Sequence, residues 1–304
     1  MAYSKWCASA RSQHCPSLQN RHDFPSGLTP VFIEQTMTAS EPLFKFRRGT
    51  TPLLVSMPHT GIHIPNDIRE NMSEAALRLP DTDWHLETLY DFLDALGASV
   101  IVATHSRYVI DLNRPKDNAN LYPGQDTTGL CPIDTFHRDP VYLNGYQPDS
   151  HEISRRVQAY WTPYHEQLNA ELDRLKQAHG VAPLWDAHSI CSRVPRFFEG
   201  SLPDLNIGTA NGSSCNLELQ NALQAIAQKS GYTWAVNGRF KGGHITRKYG
   251  QPSQNIHAVQ LELSEATYMQ ETHPYPFDET LAQKVRPTLK AFLTEMLNWA
   301  DKLK

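Results

Sequence analysis

PLLVSMPHTGIHIP, residues 52–65, is the stretch that decides the fold. Its first half is a short apolar run entered through a proline. Such a run is apolar at successive positions when both faces of a strand are covered. At Met57 the run stops, and Pro58, His59, Thr60 and Gly61 make a turn. A histidine placed where a buried strand leaves the sheet sits where open α/β sheets keep their ligand sites.

Outward from this segment, ASVIVAT (98–104), RYVID (107–111), APLWDA (182–187) and HAVQLEL (257–263) read as further strands. Segments of helical period separate them. One opens with Asp81 or Thr82 as N-cap, carries Leu86, Leu89, Leu93 and Leu96 on one face, and stops at Gly97. A second, about 152–179, should kink at Pro163 and end at Gly180, and the last, about 278–303, contains Pro287. Strands alternating with helices make an α/β fold, a sheet covered by helices on its faces. Three polar stretches, 113–150, 189–216 and 237–256, are long enough to be functional loops.

A chain of 304 residues with 40% hydrophobic residues can bury one large core, so 41–304 is expected to be a single catalytic domain. Residues 1–40 are polar and aperiodic and read as a tail, with Met37 as a candidate start and an organelle transit peptide as the rival. The net charge of -4, from 28 basic and 32 acidic residues, favours a small-molecule partner over nucleic acid or an anionic membrane. Cys7, Cys15, Cys131, Cys191 and Cys215 form no CxxC pair, and no apolar run approaches the roughly 20 residues that span a bilayer. A cytoplasmic protein is expected; the oligomeric state stays open.

His188 follows APLWDA as His59 follows PLLVSM. Two imidazoles at the ends of two strands can converge on one metal, and catalytic zinc takes three protein ligands plus an open position. Asp83 in DTDW is the candidate third ligand, with Asp81 and Glu87 behind it and helix capping as the competing role. Gly61 and Pro65 argue against a helix that would set His63 beside His59, and there is no HExxH string. Glu262, between Leu261 and Leu263, should point opposite to both; burial there raises a carboxyl pKa and suits a general base, although a salt-bridged glutamate is the plainer reading.

Arg107, Asn113 and Arg114 in SRYVIDLNRP offer a bidentate guanidinium site for a carboxylate, against the plainer alternative of surface arginines. Arg193 and Arg196, and Arg239 and Arg247 around the glycines of NGRFKGGHITR, are candidates for a second carboxylate or an oxyanion. That glycine loop fits neither GxxxxGK[ST] nor GxGxxG, so it reads as a substrate-closing loop with Lys241, His244 or Arg247 reaching the ligand. With no GxSxG string, and Cys191 near His188 read as incidental, metal catalysis is favoured over a covalent route.

Several of these strings in order, SMPHTGIHIP, DTDWHLETLYDFL, SRYVIDLNRP, LWDAHSI, NGRFKGGHITRKYG and VQLEL, resemble the N-formylglutamate amidohydrolases, over about residues 53–269. That family is related to the zinc carboxypeptidases and aspartoacylases. The resemblance implies a mixed central sheet flanked by helices, one zinc ion per chain, and hydrolysis of N-formyl-L-glutamate in histidine degradation. It places His59 and His188 as zinc histidines, Glu262 as the base, Arg107 as the arginine that polarises the carbonyl, and Asn113 with Arg114 on a substrate carboxylate. Arg193 and Arg247 are further substrate-binding candidates. Two departures stand out. The spacing from Arg107 to Asn113 is one residue shorter than in aspartoacylases, and Ile62 stands where the wider group has its ligating glutamate, so Asp83 must substitute. A deacylase of another N-acyl amino acid and a non-catalytic binder of acidic metabolites are the alternatives.

Overall fold

The computed structural model describes residues 41–303. The expected tail, Met37, Cys7 and Cys15 lie outside them. Seven strands form one mixed sheet: β1 (Phe44–Arg47), β2 (Leu54–Met57), β3 (Ser99–Ala103), β4 (Ala182–Ile190), β5 (Leu205–Gly208), β6 (Trp234–Val236) and β7 (Ile256–Ser264). Their spatial order is β1-β3-β2-β4-β7-β5-β6. The central strands β3, β2, β4 and β7 run parallel, while β1 pairs antiparallel with β3 and β5 antiparallel with β7, and β6 runs parallel to β5.

Alternation along each central strand feeds two cores. Val55, Met57, Trp185, Ala187, Val259 and Leu261 pack on one face, with α6 (Leu217–Lys229) and α8 (Glu279–Asp301). Leu54, Ala182, Leu184, Ile256 and Ala258 pack on the other, under α5 (Thr162–His179) and α7 (His244–Tyr249). On this second face the side chains turn polar toward the strand ends, at Ser56, Asp186, His188, Gln260 and Glu262, all buried. Buried polar groups persist only where each finds a partner or a ligand. The polar end of the face therefore locates the site.

RYVID is not a strand. Val109 N–H donates to Ser106 O, and Arg107 Nη2 pairs with Asp111 Oδ2 at 2.9 Å. A strand would hold residues i and i+4 about 13 Å apart, so the ion pair and the strand are incompatible. The helix expected over 81–97 shrinks to α3 (Leu86–Leu89), preceded by His85 at φ 60 and followed by turns. Asp81 and Asp83 do not cap it: Asp81 accepts Phe136 N–H, and Asp83 faces the histidines. Leu86, Leu89 and Leu93 are nevertheless buried, and Gly97, at φ 62, ends the segment as expected.

The second helix starts at α4 (Ser150–Arg156), where Asp149 caps by accepting Glu152 N–H, and meets α5 through one π turn, Val157–Trp161. Pro163, which has no N–H to give, opens α5 directly after that turn, and Gly180 at φ 80 closes it. Strands β1, β5 and β6, of 3 or 4 residues each, have no counterpart among the strands expected from the sequence. Cys131, Cys191 and Cys215 are free thiols. Among the described residues no helix is long and apolar enough to cross a membrane.

Candidate metal centre and active-site cleft

The parallel pairing of β2 with β4 and of β4 with β7 brings three strand ends to one edge of the polar face. His59 follows β2, His188 lies on β4, and His188 is the register partner of Glu262 on β7. Asp83 is drawn in by its backbone, whose N–H donates to His59 O at 3.1 Å. The outcome is a compact set of atoms. His188 Nδ1 lies 3.1 Å from His59 Nδ1 and 3.1 Å from Asp83 Oδ2, and His59 Nδ1 lies 3.7 Å from that same oxygen.

Each histidine has a carboxylate behind it. Asp111 Oδ1 stands 2.7 Å from His59 Nε2, and Asp186 Oδ1 stands 3.2 Å from His188 Nε2. A carboxylate at Nε2 draws the ring proton to that side and leaves the Nδ1 lone pair facing inward. In that tautomer two Nδ1 lone pairs and a carboxylate oxygen converge, and Asp83 Oδ1 is buried with no hydrogen-bond partner. Such a donor set is satisfied by a cation. Imidazole nitrogens with one carboxylate fit zinc or a similar divalent metal.

The charge balance favours a cation as well. Burial alone would raise the Asp83 and Asp111 carboxyls, yet the facing His59 ring, helped by His188 at Asp83 and by Arg107 at Asp111, holds both well below the usual range. Burial opposes charge on His188, but Asp186 and Asp83 hold it well above its ordinary value. Four buried carboxylates, Asp83, Asp111, Asp186 and Glu262, thus surround two rings and Arg107. Glu262 behaves differently. Burial, reinforced by the charges of Asp83 and Asp186, pushes it up to about 7 against the pull of His188 and Arg107. Gln260 Nε2 donates to Glu262 Oε2 at 3.1 Å and fixes one of its oxygens.

In front of these groups lies a cleft of about 540 Å³, counting the space open to solvent, whose lining includes His59, His188 and Glu262 together with Arg107, Arg114 and Arg239. Tyr122, Phe136, Phe197 and Phe240 supply its aromatic surface. A triad that could hold a metal, beside a carboxyl group raised by burial, in a cleft walled by guanidinium groups, is equipped to hydrolyse an amide on an anionic molecule.

Comparison with known proteins agrees with this chemistry. Residues 51–269 match the family described as N-formylglutamate amidohydrolase. The chain belongs to that family. It is 50% identical over 258 residues to the N-formylglutamate deformylase of Pseudomonas putida, covering 84% of this chain and 96% of that protein. It is 48% identical, again over 258 residues, to the deformylase of Pseudomonas aeruginosa, covering 84% and 97%. Among solved structures, an N-formylglutamate amidohydrolase from Ralstonia eutropha superposes with TM-score 0.73 at 24% identity, over 86% of this chain and 99% of that one. A gene product of Agrobacterium tumefaciens superposes with TM-score 0.61 at 18% identity, over 85% and 94%. These two bear on the fold alone, and they carry the α/β sheet expected for the family.

Of the residues singled out in the sequence, His59, Asp83, His188, Glu262, Arg107, Asn113 and Arg114 come together at the cleft. Asn113 is occupied within the protein: its Oδ1 accepts Ile245 N–H at 2.8 Å and its Nδ2 donates to Asp186 Oδ2 at 3.5 Å. Arg193 is not in the cleft. Val194 takes the buried side of that turn and leaves Arg193 exposed to solvent. Arg247 is not in the lining either, because its Nε donates to Gly242 O and its guanidinium lies over the Tyr122 ring, bracing the glycine loop from behind. His244 packs against Trp161 and His165, and Arg196 is tied to Asp126 and Asp134. Among the weaker ligand candidates, Glu87 pairs with Lys45 at the surface, and Asp81, pushed up to about 6 by burial, holds Phe136 N–H.

Three functional residues were not singled out in the sequence. Asp186 and Gln260 each lie two positions before a site residue on the same strand face, so strict alternation along β4 and β7 could have found them. Asp111 carried no such signal, since its partner His59 is 52 positions away.

Proposed function

We propose that the protein hydrolyses N-formyl-L-glutamate to formate and L-glutamate, as one catalytic domain over 41–304, with a zinc ion held by His59, Asp83 and His188. The observation that carries this reading is the convergence of three inward-facing donor atoms beside Glu262 in an arginine-walled cleft. Family membership supports the same reaction; histidine degradation as its setting and the cytoplasm as its compartment are proposed with it.

The metal, when bound, supplies a Lewis acid that polarises the formyl carbonyl and acidifies water enough to attack at neutral pH. The protein's own groups do the rest. Glu262, which burial brings up to about 7, takes a proton from the attacking water and returns it to the departing amine of glutamate. Arg107, locked by Asp111 Oδ2 and Asp81 O, faces the cleft where negative charge develops on the former carbonyl oxygen. Arg114, braced by Thr128 O and Asn113 O, takes a substrate carboxylate. Asn113 keeps Asp186, the carboxylate behind His188, and the start of α7 in place rather than reaching the ligand.

The test is formate release by the purified protein. Release that stops on chelation and returns with zinc supports the proposal. N-acetyl-L-aspartate and N-formyl-L-aspartate assayed alongside decide the acyl group and the acid; hydrolysis of one of these but not of N-formyl-L-glutamate would overturn the substrate assignment.

A further inference from the structure

Resting on that reading, we infer that Arg239 is the specificity-determining residue for the side-chain carboxylate of the substrate, while Arg114 serves the α-carboxylate. The arginines in and near the cleft differ in the partners they keep. Arg107 is neutralised by Asp111, and Arg196 by Asp126 and Asp134. Among the described residues Arg239 forms no ion pair with a carboxylate. Its Nε donates to Phe197 O at 2.6 Å and its Nη2 to Asp126 O at 3.3 Å, both main-chain oxygens. Three rings flank the guanidinium, Tyr122 at 5.7 Å, Phe197 at 5.5 Å and Phe240 at 5.3 Å. Burial lowers its pKa from the ordinary value, so its charge is held at a cost.

A half-buried guanidinium with its plane fixed by aromatic rings and no internal counter-ion is built for an incoming anion. Arg114 is the second such group: its donors go to Thr128 O, Thr128 Oγ1 and Asn113 O, again without a carboxylate. Two arginines without acidic partners in one cleft match a ligand with two carboxylates and no free amine. N-formylation leaves glutamate in that state.

We place Arg114 toward the metal-binding end, because the adjacent Asn113 donates to Asp186 behind His188, and Arg239 toward the aromatic side chains of the loops, which flank it. An α-carboxylate shares its carbon with the amide nitrogen and must stay near the reacting bond, whereas the side-chain carboxylate lies three carbons further along. Tyr122, Phe197 and Phe240 then flank the methylene groups between them.

The experiment compares kcat and KM of wild type, Arg239→Met and Arg239→Lys on three amides. These are N-formyl-L-glutamate, N-formyl-L-norvaline, which ends in a methyl group, and 4-formamidobutyrate, which lacks the α-carboxylate. Wild type should prefer the glutamate substrate to the norvaline one, and Arg239→Met should erase about 100-fold of that preference, through KM rather than kcat. It should penalise 4-formamidobutyrate as heavily as N-formyl-L-glutamate, because both keep the distal carboxylate. Arg239→Lys, which keeps the charge, should fall between. Equal loss on the glutamate and norvaline substrates, or a loss confined to kcat, would overturn the assignment, as would a loss spared on 4-formamidobutyrate alone. Failure of wild type to hydrolyse N-formyl-L-glutamate would instead overturn the proposed function on which the inference rests.

Discussion

His188 and Glu262 are register partners across β4 and β7, so two adjacent parallel strands deliver the proposed metal donor and the proposed base to the same face. Neighbouring strands lie about 5 Å apart, which sets the spacing between the two functions by backbone pairing alone. Replacing Glu262 with Gln keeps the shape and removes the proton acceptor. Formate release should fall about 10²- to 10⁴-fold while the metal content per chain, measured by elemental analysis, stays that of wild type. A variant with kcat close to wild type would mean that the base is elsewhere.

The carboxylates behind the histidines give a second prediction. Asp111→Asn and Asp186→Asn each remove a charge that orients a ring and favours the inward lone pair. Each should weaken zinc binding about 10- to 100-fold in competition with a chromophoric chelator. Asp83→Ala should weaken it further, since it removes a donor atom. Unchanged affinity in both Asn variants would show that the rings are held by packing alone.

Gly243 leaves room for Asn113. A Cβ built at 243 would lie 2.4 Å from Asn113 Nδ2 and 2.6 Å from its Cγ, yet the backbone there has an ordinary φ of -84. Gly243→Ala therefore acts on Asn113 rather than through backbone strain. It should destabilise the fold by about 1 to 3 kcal/mol and lower activity by disturbing His188. In an Asn113→Ala background the same change should have a much smaller effect on melting temperature. Additive losses in the double variant would refute the steric account.

Away from the site, His257 makes acid stability testable. It is buried, its Nδ1 accepts Asn216 N–H at 3.1 Å, its ring meets the Trp299 ring at 4.5 Å, and burial lowers its pKa to about 4. With the folded pKa below the unfolded one, the folded chain binds fewer protons between about pH 4 and 6.5. The contribution of this group to stability is therefore fully present above about 6.5 and declines as the pH falls toward 4. His257→Asn retains an acceptor near the Nδ1 position. Relative to its own value at pH 7, the variant should lose about 2 kcal/mol less than wild type on going to pH 5, read by urea unfolding. Buried His165, lowered to about 3, acts in the same direction but is present in both proteins and cancels. Parallel stability curves would exclude the assignment.

The sequence by itself determined the central strands and the residues at their ends. Buried parallel strands are continuous apolar runs, and a histidine at the end of such a run has few structural uses, so His59 and His188 were legible from local pattern. Alternation set Glu262 apart from Leu261 and Leu263 and so gave its face, but its role as a base was favoured over that of a salt-bridged glutamate only by the family resemblance. The helix stops at Gly97 and Gly180 were legible for a backbone reason, the positive φ that glycine supplies.

Only the tertiary structure decided what surrounds those residues. RYVID has strand composition, but the pairing of Arg107 with Asp111 and their joint service to the site override it. DTDW looks like a helix start, yet Asp83 is turned to the histidines by a hydrogen bond to His59 O that no local pattern encodes. Asp111 reaches His59 across 52 positions, and Arg239 differs from Arg193 and Arg247 only in facing the cleft. Propensity and periodicity act over a few residues along the chain. Which polar groups share a proton, a cation or a substrate carboxylate depends on distances in space, and those exist only once the sheet has ordered its strands.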